Sequence, residues 1–161
     1  ERDPPWLFGH SDGASIALLY AATRPQRIAG AMLLAPHIVV EDLALASIAQ
    51  AREAYLQSDL RGRLARHHDD PDSAFCGWND VWLDPAFRSW SIEAEIAAIA
   101  CPVLAVQGHD DEYGTMDQVE RIARLAPDVE LVRLADCRHS PHRDQPDAVL
   151  EALVRFVDRL T

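Results

Sequence analysis

Short apolar runs alternate with amphipathic segments along most of this chain, a pattern that predicts parallel β-strands joined by α-helices. The runs typical of strands buried on both faces are Pro5–Phe8, Gly30–Ala35, Pro102–Gln107 and Val129–Leu134. The segments with helical spacing of apolar residues are Asp12–Thr23, Met116–Ala126 and Pro146–Leu160. Because a helix with short connections joins the first two strands, these strands are predicted to be parallel neighbours. The pattern indicates a single α/β domain, a parallel sheet flanked by helices, over residues 1–161.

The stretch from about residue 37 to residue 100 has a different pattern, with no convincing strand. Its segments are predicted as helices at 41–55, 58–68, 72–83 and 91–99. It holds most of the aromatic residues: Tyr55, Phe75, Trp78, Trp82, Phe87 and Trp90. We interpret it as a helical cap inserted between two strands, with Trp78 and Trp82, one helical turn apart, lining an apolar substrate pocket. The alternative interpretation is that these rings pack only the core of the cap itself.

The pentapeptide Gly9-His10-Ser11-Asp12-Gly13 lies between the first predicted strand and the first predicted helix. In a tight strand-to-helix turn, a side chain at either glycine is expected to collide with the neighbouring strand or helix. Such a turn presents Ser11 at a helix N-terminus, where free N–H groups favour developing negative charge. The alternative is an ordinary glycine-rich turn, but the flanking elements favour a nucleophile for acyl transfer. His10 is predicted to shape the turn or the substrate pocket.

A nucleophilic serine needs a base and a group that orients the base, and two loops offer them. Gly108–Glu112 follows the third predicted strand and carries Asp110 and Asp111. Ala135–His142 follows the fourth predicted strand and carries His139 and His142. Because working residues of an open α/β sheet lie beyond the carboxyl ends of its strands, these loops are predicted to meet Ser11 at one edge.

The order serine, acid, histidine and the local motifs make this chain similar to the α/β-hydrolase superfamily, in its esterase and lipase-like branch with a helical cap. Gly9–Gly13 matches the nucleophile elbow of that family. Gly108–Asp111 matches its Gly-x-x-Asp loop, which selects Asp111 over Asp110, and Arg138–Pro141 matches its histidine loop, which selects His139 over His142. The resemblance implies a serine hydrolase that cleaves a carboxylic ester or related acyl bond of a small molecule, without a cofactor. Asp110 and His142 stay open as alternative partners.

The resemblance covers the α/β-hydrolase fold only from the nucleophile strand onward. Its early strands, and the loop that gives the second oxyanion N–H, are expected to be missing, which leaves the backbone N–H of Asp12 as the oxyanion donor. Arg138 stands where the family usually has glycine, a departure that is expected to alter the histidine loop. An exposed edge at the first strand would favour pairing with a second copy. A non-catalytic or inactive fragment of a hydrolase is therefore the alternative function.

The composition limits the classes of partner that the chain is expected to bind. A formal net charge of −11 argues against nucleic acid and anionic membrane surfaces as partners. The three cysteines, Cys76, Cys101 and Cys137, have neither disulfide-framework nor zinc-site spacing, which favours a reducing, cytoplasmic compartment. A metal site from His109, Asp110, Asp111 and the two later histidines is not predicted, because neither group has helical i, i+4 ligand spacing.

Overall fold

A parallel sheet in the order β1-β2-β3-β4 forms the centre of the computed structural model, which describes residues 3–161. Its strands are Trp6–His10 (β1), Gly30–Leu34 (β2), Val103–Gly108 (β3) and Val129–Leu134 (β4). The helices are α1 (Asp12–Thr23), α2 (Asp42–Gln57), α3 (Leu60–Leu64), α4 (Pro71–Leu83), α5 (Glu93–Ile96), α6 (Asp117–Leu125), α7 (Pro141–Asp144) and α8 (Pro146–Leu160), with a 3-10 helix at Pro85–Ser89. The predicted α/β class and parallel sheet are confirmed.

The sheet belongs to the first of two units, which comprises Glu1–Val39 and Ser91–Thr161 as far as these residues are described. One face of the sheet packs on α8, where Leu34, Leu104 and Phe156 are fully buried. Side chains alternate along a strand, and Leu33 and Ala105, which point to the other face, are fully buried as well. The strands are therefore covered on both sides, which explains why they are continuous apolar runs in the sequence.

Element ends differ from the sequence predictions where backbone pairing decides them. β1 extends through Gly9 and His10, because these residues pair with Leu33 and Leu34 of β2. The predicted helix over 91–99 is shorter, since Ser91 forms an antiparallel bridge with Val39 and only Glu93–Ile96 is helical. Short helix α7 has no counterpart in the prediction.

The second unit, Val40–Trp90, contains α2, α3, α4 and the 3-10 helix. Its aromatic side chains pack on one another: the Tyr55 and Phe75 rings stack with centroids 3.9 Å apart, and Trp82 meets Phe87 and Trp90 edge to face at 5.3 and 5.9 Å. Asn79 is fully buried and donates from Nδ2 to the Ile48 carbonyl oxygen (2.9 Å). The rings thus form a core of this unit, as the second interpretation of the sequence expected, while a role in a substrate pocket stays a prediction.

No helix among residues 3–161 has both the length and the apolar character needed to span a bilayer. Among these residues the cysteines are free, with Cys76 exposed and Cys101 and Cys137 buried.

Asp72 joins α4 to two other parts of the second unit. It accepts hydrogen bonds from Arg61 Nε (2.8 Å) and from the Tyr55 hydroxyl (2.6 Å). These hydrogen bonds from Arg61 and Tyr55 lower the pKa of Asp72 to about 2. A carboxyl with a depressed pKa stabilises the fold above its unfolded-state pKa, and this contribution is lost as the pH falls from about 4 toward 2.

We predict that Asp72→Asn lowers the thermal unfolding midpoint at pH 7 by about 1–3 °C, because exposed ion pairs contribute little individually. The difference from wild type should shrink between pH 4 and pH 2, measured by tryptophan fluorescence. Asp69→Asn makes the same charge change at a neighbouring exposed carboxylate and should leave the midpoint nearly unchanged. An Asp72→Asn deficit that is the same at pH 7 and pH 2 would contradict this account.

Strand β1 has a hydrogen-bonded neighbour on one side only, within the described part of the chain. Phe8 of this strand is 56% exposed, and it lines an apolar groove with Met32, Leu153, Val154 and Val157. Unpaired strand edges with apolar side chains favour association.

We predict that the chain of residues 1–161 associates with a second copy at β1, and that Phe8→Lys shifts its sedimentation toward the monomer. Leu56→Lys is the control, since Leu56 is an exposed apolar residue of the second unit (70% exposed) and gains the same charge. Sedimentation velocity at micromolar concentrations distinguishes the two. A monomeric wild type, or equal shifts in both variants, would count against pairing through this edge.

Candidate active site

Ser11 occupies a strained turn between β1 and α1. Its backbone has φ 55° and ψ −127°, in a region that non-glycine residues rarely adopt. Such strain costs about 1–3 kcal/mol, and the surrounding structure must offset it. The Ser11 N–H donates to the Leu34 carbonyl oxygen (2.9 Å), and the Ser11 carbonyl oxygen accepts from Ala14 N–H (2.8 Å). The turn is thus tied to β2 on one side and to α1 on the other.

The two glycines that flank this turn have different roles. A Cβ at Gly9 would lie 2.4 Å from the Gly13 carbonyl oxygen, so only glycine fits there. At Gly13 the expected collision is wrong: among the described residues, an added Cβ meets no atom within 4 Å. A side chain at Gly9 would collide with the backbone of Gly13, whereas a side chain at Gly13 would not collide with Gly9. Glycine is therefore required at position 9, at the end of β1, and not at position 13.

Asp111 lies in the loop after β3 and is nearly inaccessible to solvent. Its Oδ1 accepts from the backbone N–H groups of Tyr113 (2.8 Å) and Gly114 (3.3 Å), and its Oδ2 accepts from Gln107 Nε2 (2.8 Å). Four donors in all, counting the ring of His139, therefore hold the carboxylate in one orientation. Hydrogen bonds to the charged form offset the cost of burying a carboxylate.

His139 bridges Asp111 and Ser11. Its Nδ1 lies 2.9 Å from both carboxylate oxygens of Asp111, and its Nε2 lies 2.9 Å from Ser11 Oγ. A carboxylate only accepts hydrogen bonds, so Nδ1 carries the proton in the neutral ring and Nε2 is left to accept from the Ser11 hydroxyl. This arrangement allows the hydroxyl to pass its proton to the imidazole as it attacks an electrophile.

The loops that carry Asp111 and His139 contact each other through their backbones. A Cβ at Gly108 would lie 2.1 Å from the Cys137 carbonyl oxygen, and that oxygen accepts from Asp110 N–H (3.0 Å). Glu112 accepts from the His139 N–H (3.3 Å) and from the Arg138 guanidinium (3.0 Å). The two loops therefore form one connected support for the imidazole.

Arg138 fits its position without the conformational freedom of glycine. The described non-glycine residues with positive φ are Ser11, Ala35 and Asp136, so Arg138 does not adopt the left-handed region. Its backbone N–H donates to Asp144 Oδ2 of α7 (2.8 Å). Asp144 and Glu112 thus hold Arg138 in place, while an altered histidine loop stays a prediction.

His10 connects β1 to the histidine loop. Its Nε2–H donates to the carbonyl oxygen of His139 (2.7 Å), and its ring lies 5.1 Å from the His139 ring and 4.9 Å from the His142 ring. Burial lowers the pKa of His10, opposed by the hydrogen bond to His139. A neutral His10 adds no positive charge beside the imidazolium that forms when His139 accepts a proton. The hydrogen bond ties His10 to the histidine loop, and its role in shaping the turn or the substrate pocket stays a prediction.

The remaining predicted residues lie outside this hydrogen-bonded relay. Asp110 is exposed, and His142 is an exposed residue of α7 whose ring contacts His10. Asp12 is the first residue of α1, so its N–H belongs to the helix terminus that Ser11 precedes. Trp78 and Trp82 lie in the second unit, where Trp78 contacts Phe75 edge to face. Of the two candidate pairs, the structure brings Asp111 and His139 to Ser11.

Burial changes the acidity of two neighbouring groups. It raises the pKa of the Cys137 thiol to about 11, with added contributions from Asp144, Asp111 and Asp110. It also raises the pKa of Tyr113, whose ring lies 4.8 Å from the His139 ring. Both groups are therefore neutral at physiological pH, and Ser11 has no competing thiolate nucleophile from Cys137.

A family model described as the alpha/beta hydrolase family matches residues 1–152. The chain belongs to the alpha/beta hydrolase family. This membership confirms the family that the motifs suggested. In this chain Ser11, Asp111 and His139 follow the parallel strands β1, β3 and β4. No curated protein matches the chain at a significant level.

Solved structures show the same fold. BpoC from Mycobacterium tuberculosis H37Rv has a TM-score of 0.72 and 22% identity, with 98% of this chain and 68% of that chain covered. CarC, a serine hydrolase involved in carbazole degradation, has a TM-score of 0.74 and 17% identity, covering 98% of this chain and 65% of that one. CumD, a meta-cleavage product hydrolase from Pseudomonas fluorescens IP01, has a TM-score of 0.72 and 16% identity, with 96% of this chain and 64% of that chain covered. This hydrolase chain thus spans about two thirds of the length of these structures.

The sequence analysis missed several residues that build the site. Gln107 contacts Asp111, and Glu112 contacts the loop that carries His139. The His37 ring lies 5.5 Å from the His139 ring. One signal was available for Gln107, because it is a polar residue in an otherwise apolar buried strand.

No metal-binding group of three or more His, Cys, Asp or Glu side chains occurs in residues 3–161.

The two glycines of the elbow offer a matched test. We predict that Gly9→Ala strongly destabilises the protein, by about 3 kcal/mol or more, because backbone atoms must move to admit the methyl group. Gly13→Ala makes the same chemical change inside α1, where space is open, and is expected to leave stability unchanged or raise it by about 0.5–1 kcal/mol. Urea unfolding measures both. Equal losses in the two variants would show that the close contact at Gly9 is not the determinant.

Proposed function

We propose that this chain carries the catalytic centre of a serine hydrolase that cleaves a carboxylic ester or related acyl bond through an acyl-enzyme on Ser11. The observation that supports it most is the continuous series of hydrogen bonds from Asp111 through His139 to Ser11 Oγ. Family membership supports hydrolase chemistry in general. Because one fold serves many reactions, the choice of an acyl bond depends on the chemistry of the site.

In the proposed reaction Ser11 Oγ attacks the acyl carbonyl carbon while His139 Nε2 takes the hydroxyl proton. Asp111 keeps the imidazole in the Nδ1–H tautomer and stabilises the imidazolium that forms. The imidazolium then gives its proton to the leaving oxygen, and the acyl group stays on Ser11. Water attacks this ester with His139 as base, releasing the acid and restoring the serine.

The tetrahedral intermediate needs donors for its oxyanion, and the Asp12 N–H is the proposed one. It lies at the first position of α1, where the helix dipole favours an anion. A second donor in this family comes from a loop preceding the nucleophile strand. Loss of one such donor slows related enzymes about 100- to 1000-fold, so slow turnover of residues 1–161 alone is compatible with this proposal.

Labelling by a fluorophosphonate probe tests the proposal, because the probe reacts only with an activated serine. We expect wild type to be labelled and Ser11→Ala not to be. His139→Ala should slow labelling about 1000-fold or more, because the base is lost. Asp111→Asn should have a comparable effect, since an amide favours the wrong tautomer.

Two variants serve as matched controls in the same loops. His142→Ala and Asp110→Asn make the same chemical changes next to the proposed residues and should keep labelling within about tenfold of wild type. Labelling that depends on His142 or Asp110 instead would reject the assignment. Absence of labelling in the folded wild type would favour the alternative, in which residues 1–161 hold the triad geometry without activity of their own.

A further inference from the structure

Gln107 is a buried polar residue whose place in β3 cannot be explained by packing. Every residue of β3 is buried, and the Gln107 side chain is completely inaccessible. Its Oε1 is buried and has no hydrogen-bond partner among the described residues. A buried acceptor without a partner destabilises a fold, whereas an apolar side chain of similar size would avoid that cost. The amide group must therefore serve a purpose that an apolar residue would not.

Both hydrogen bonds from Gln107 Nε2 go to the loop that carries the triad acid. The amide donates to Asp111 Oδ2 (2.8 Å) and to the Gly114 carbonyl oxygen (2.8 Å). The backbone N–H groups of Tyr113 and Gly114 hold the other oxygen, Oδ1. Gln107 Nε2 and His139 Nδ1 thus both donate to Oδ2, and they share the negative charge of that atom.

We propose that Gln107 is a positioning residue for the candidate triad: its amide fixes Asp111 and moderates the pull of that carboxylate on His139. The proposal rests on the function proposed above. A donor on Oδ2 withdraws negative charge that would otherwise attract the imidazolium form of His139.

Other titratable groups face the His139 ring from the elements around it. They are Asp111, Glu112 and Tyr113 of the loop after β3, His10 of β1, and His37 after β2. Of these groups, Asp111 is the one to which Gln107 donates a hydrogen bond. A change in His139 titration after that substitution therefore reports on the contact between Gln107 and Asp111.

NMR titration of the His139 ring in the chain of residues 1–161 tests the proposal without turnover. In Gln107→Met, a variant of similar volume without the donor, the midpoint of the His139 titration should move upward by about half a pH unit. The control is Gln118→Met, because Gln118 is an equally buried glutamine that accepts from the Ile38 N–H (2.8 Å). It should lose stability without moving this midpoint. An unchanged midpoint in Gln107→Met, or an equal change in both variants, would overturn the proposal.

A measurement on wild type protects the test against a variant that does not fold. The side-chain amide protons of Gln107 should shift with the same pH midpoint as the His139 ring, because both donate to Asp111. Amide signals that do not respond to His139 would overturn the proposal by themselves. Failure of fluorophosphonate labelling would reject activity of residues 1–161 by themselves, whereas these two NMR readouts decide the role of Gln107 in either case.

Discussion

The parallel direction of the four strands is the constraint on which the candidate site depends. Because β1, β3 and β4 all end at the same edge of the sheet, the residues that follow them meet there although they are far apart in sequence. His139 reaches Ser11 across a separation of 128 residues, and it reaches Asp111 across 28. An antiparallel pairing of any of these strands would place its loop at the opposite end of the sheet.

Close backbone contacts at two glycines bring the loops at this shared edge within hydrogen-bond distance of one another. Gly9 lets β1 lie against the start of α1, and Gly108 lets the end of β3 lie against the backbone at Cys137. At both places a methyl group would overlap a carbonyl oxygen. The absence of two side chains therefore brings the serine turn, the acid loop and the histidine loop within reach of one another.

The site also contains arrangements that are unfavourable for stability. Ser11 has a strained backbone, Asp111 is a buried carboxylate, and Gln107 has a buried acceptor without a partner in the described chain. Such costs persist only where surrounding contacts offset them, and they concentrate at functional sites. In this chain they lie together at the carboxyl ends of β1 and β3, which agrees with the function proposed for this edge.

Sequence alone determined the order of the strands and of the longer helices, the parallel sheet and the serine turn, because apolar periodicity and glycine spacing are local properties of the chain. It also reduced the acid and the base to two neighbouring candidates each. Only the tertiary structure decided between them: Asp110 and Asp111 are adjacent in sequence, but one side chain is exposed and the other lies buried beneath His139. The same holds for Gln107, Gly13 and the rings of the second unit, since the folded chain and not the local pattern decides which atoms lie around them. Local pattern places a residue on an element, whereas contacts across the sheet decide what that residue touches.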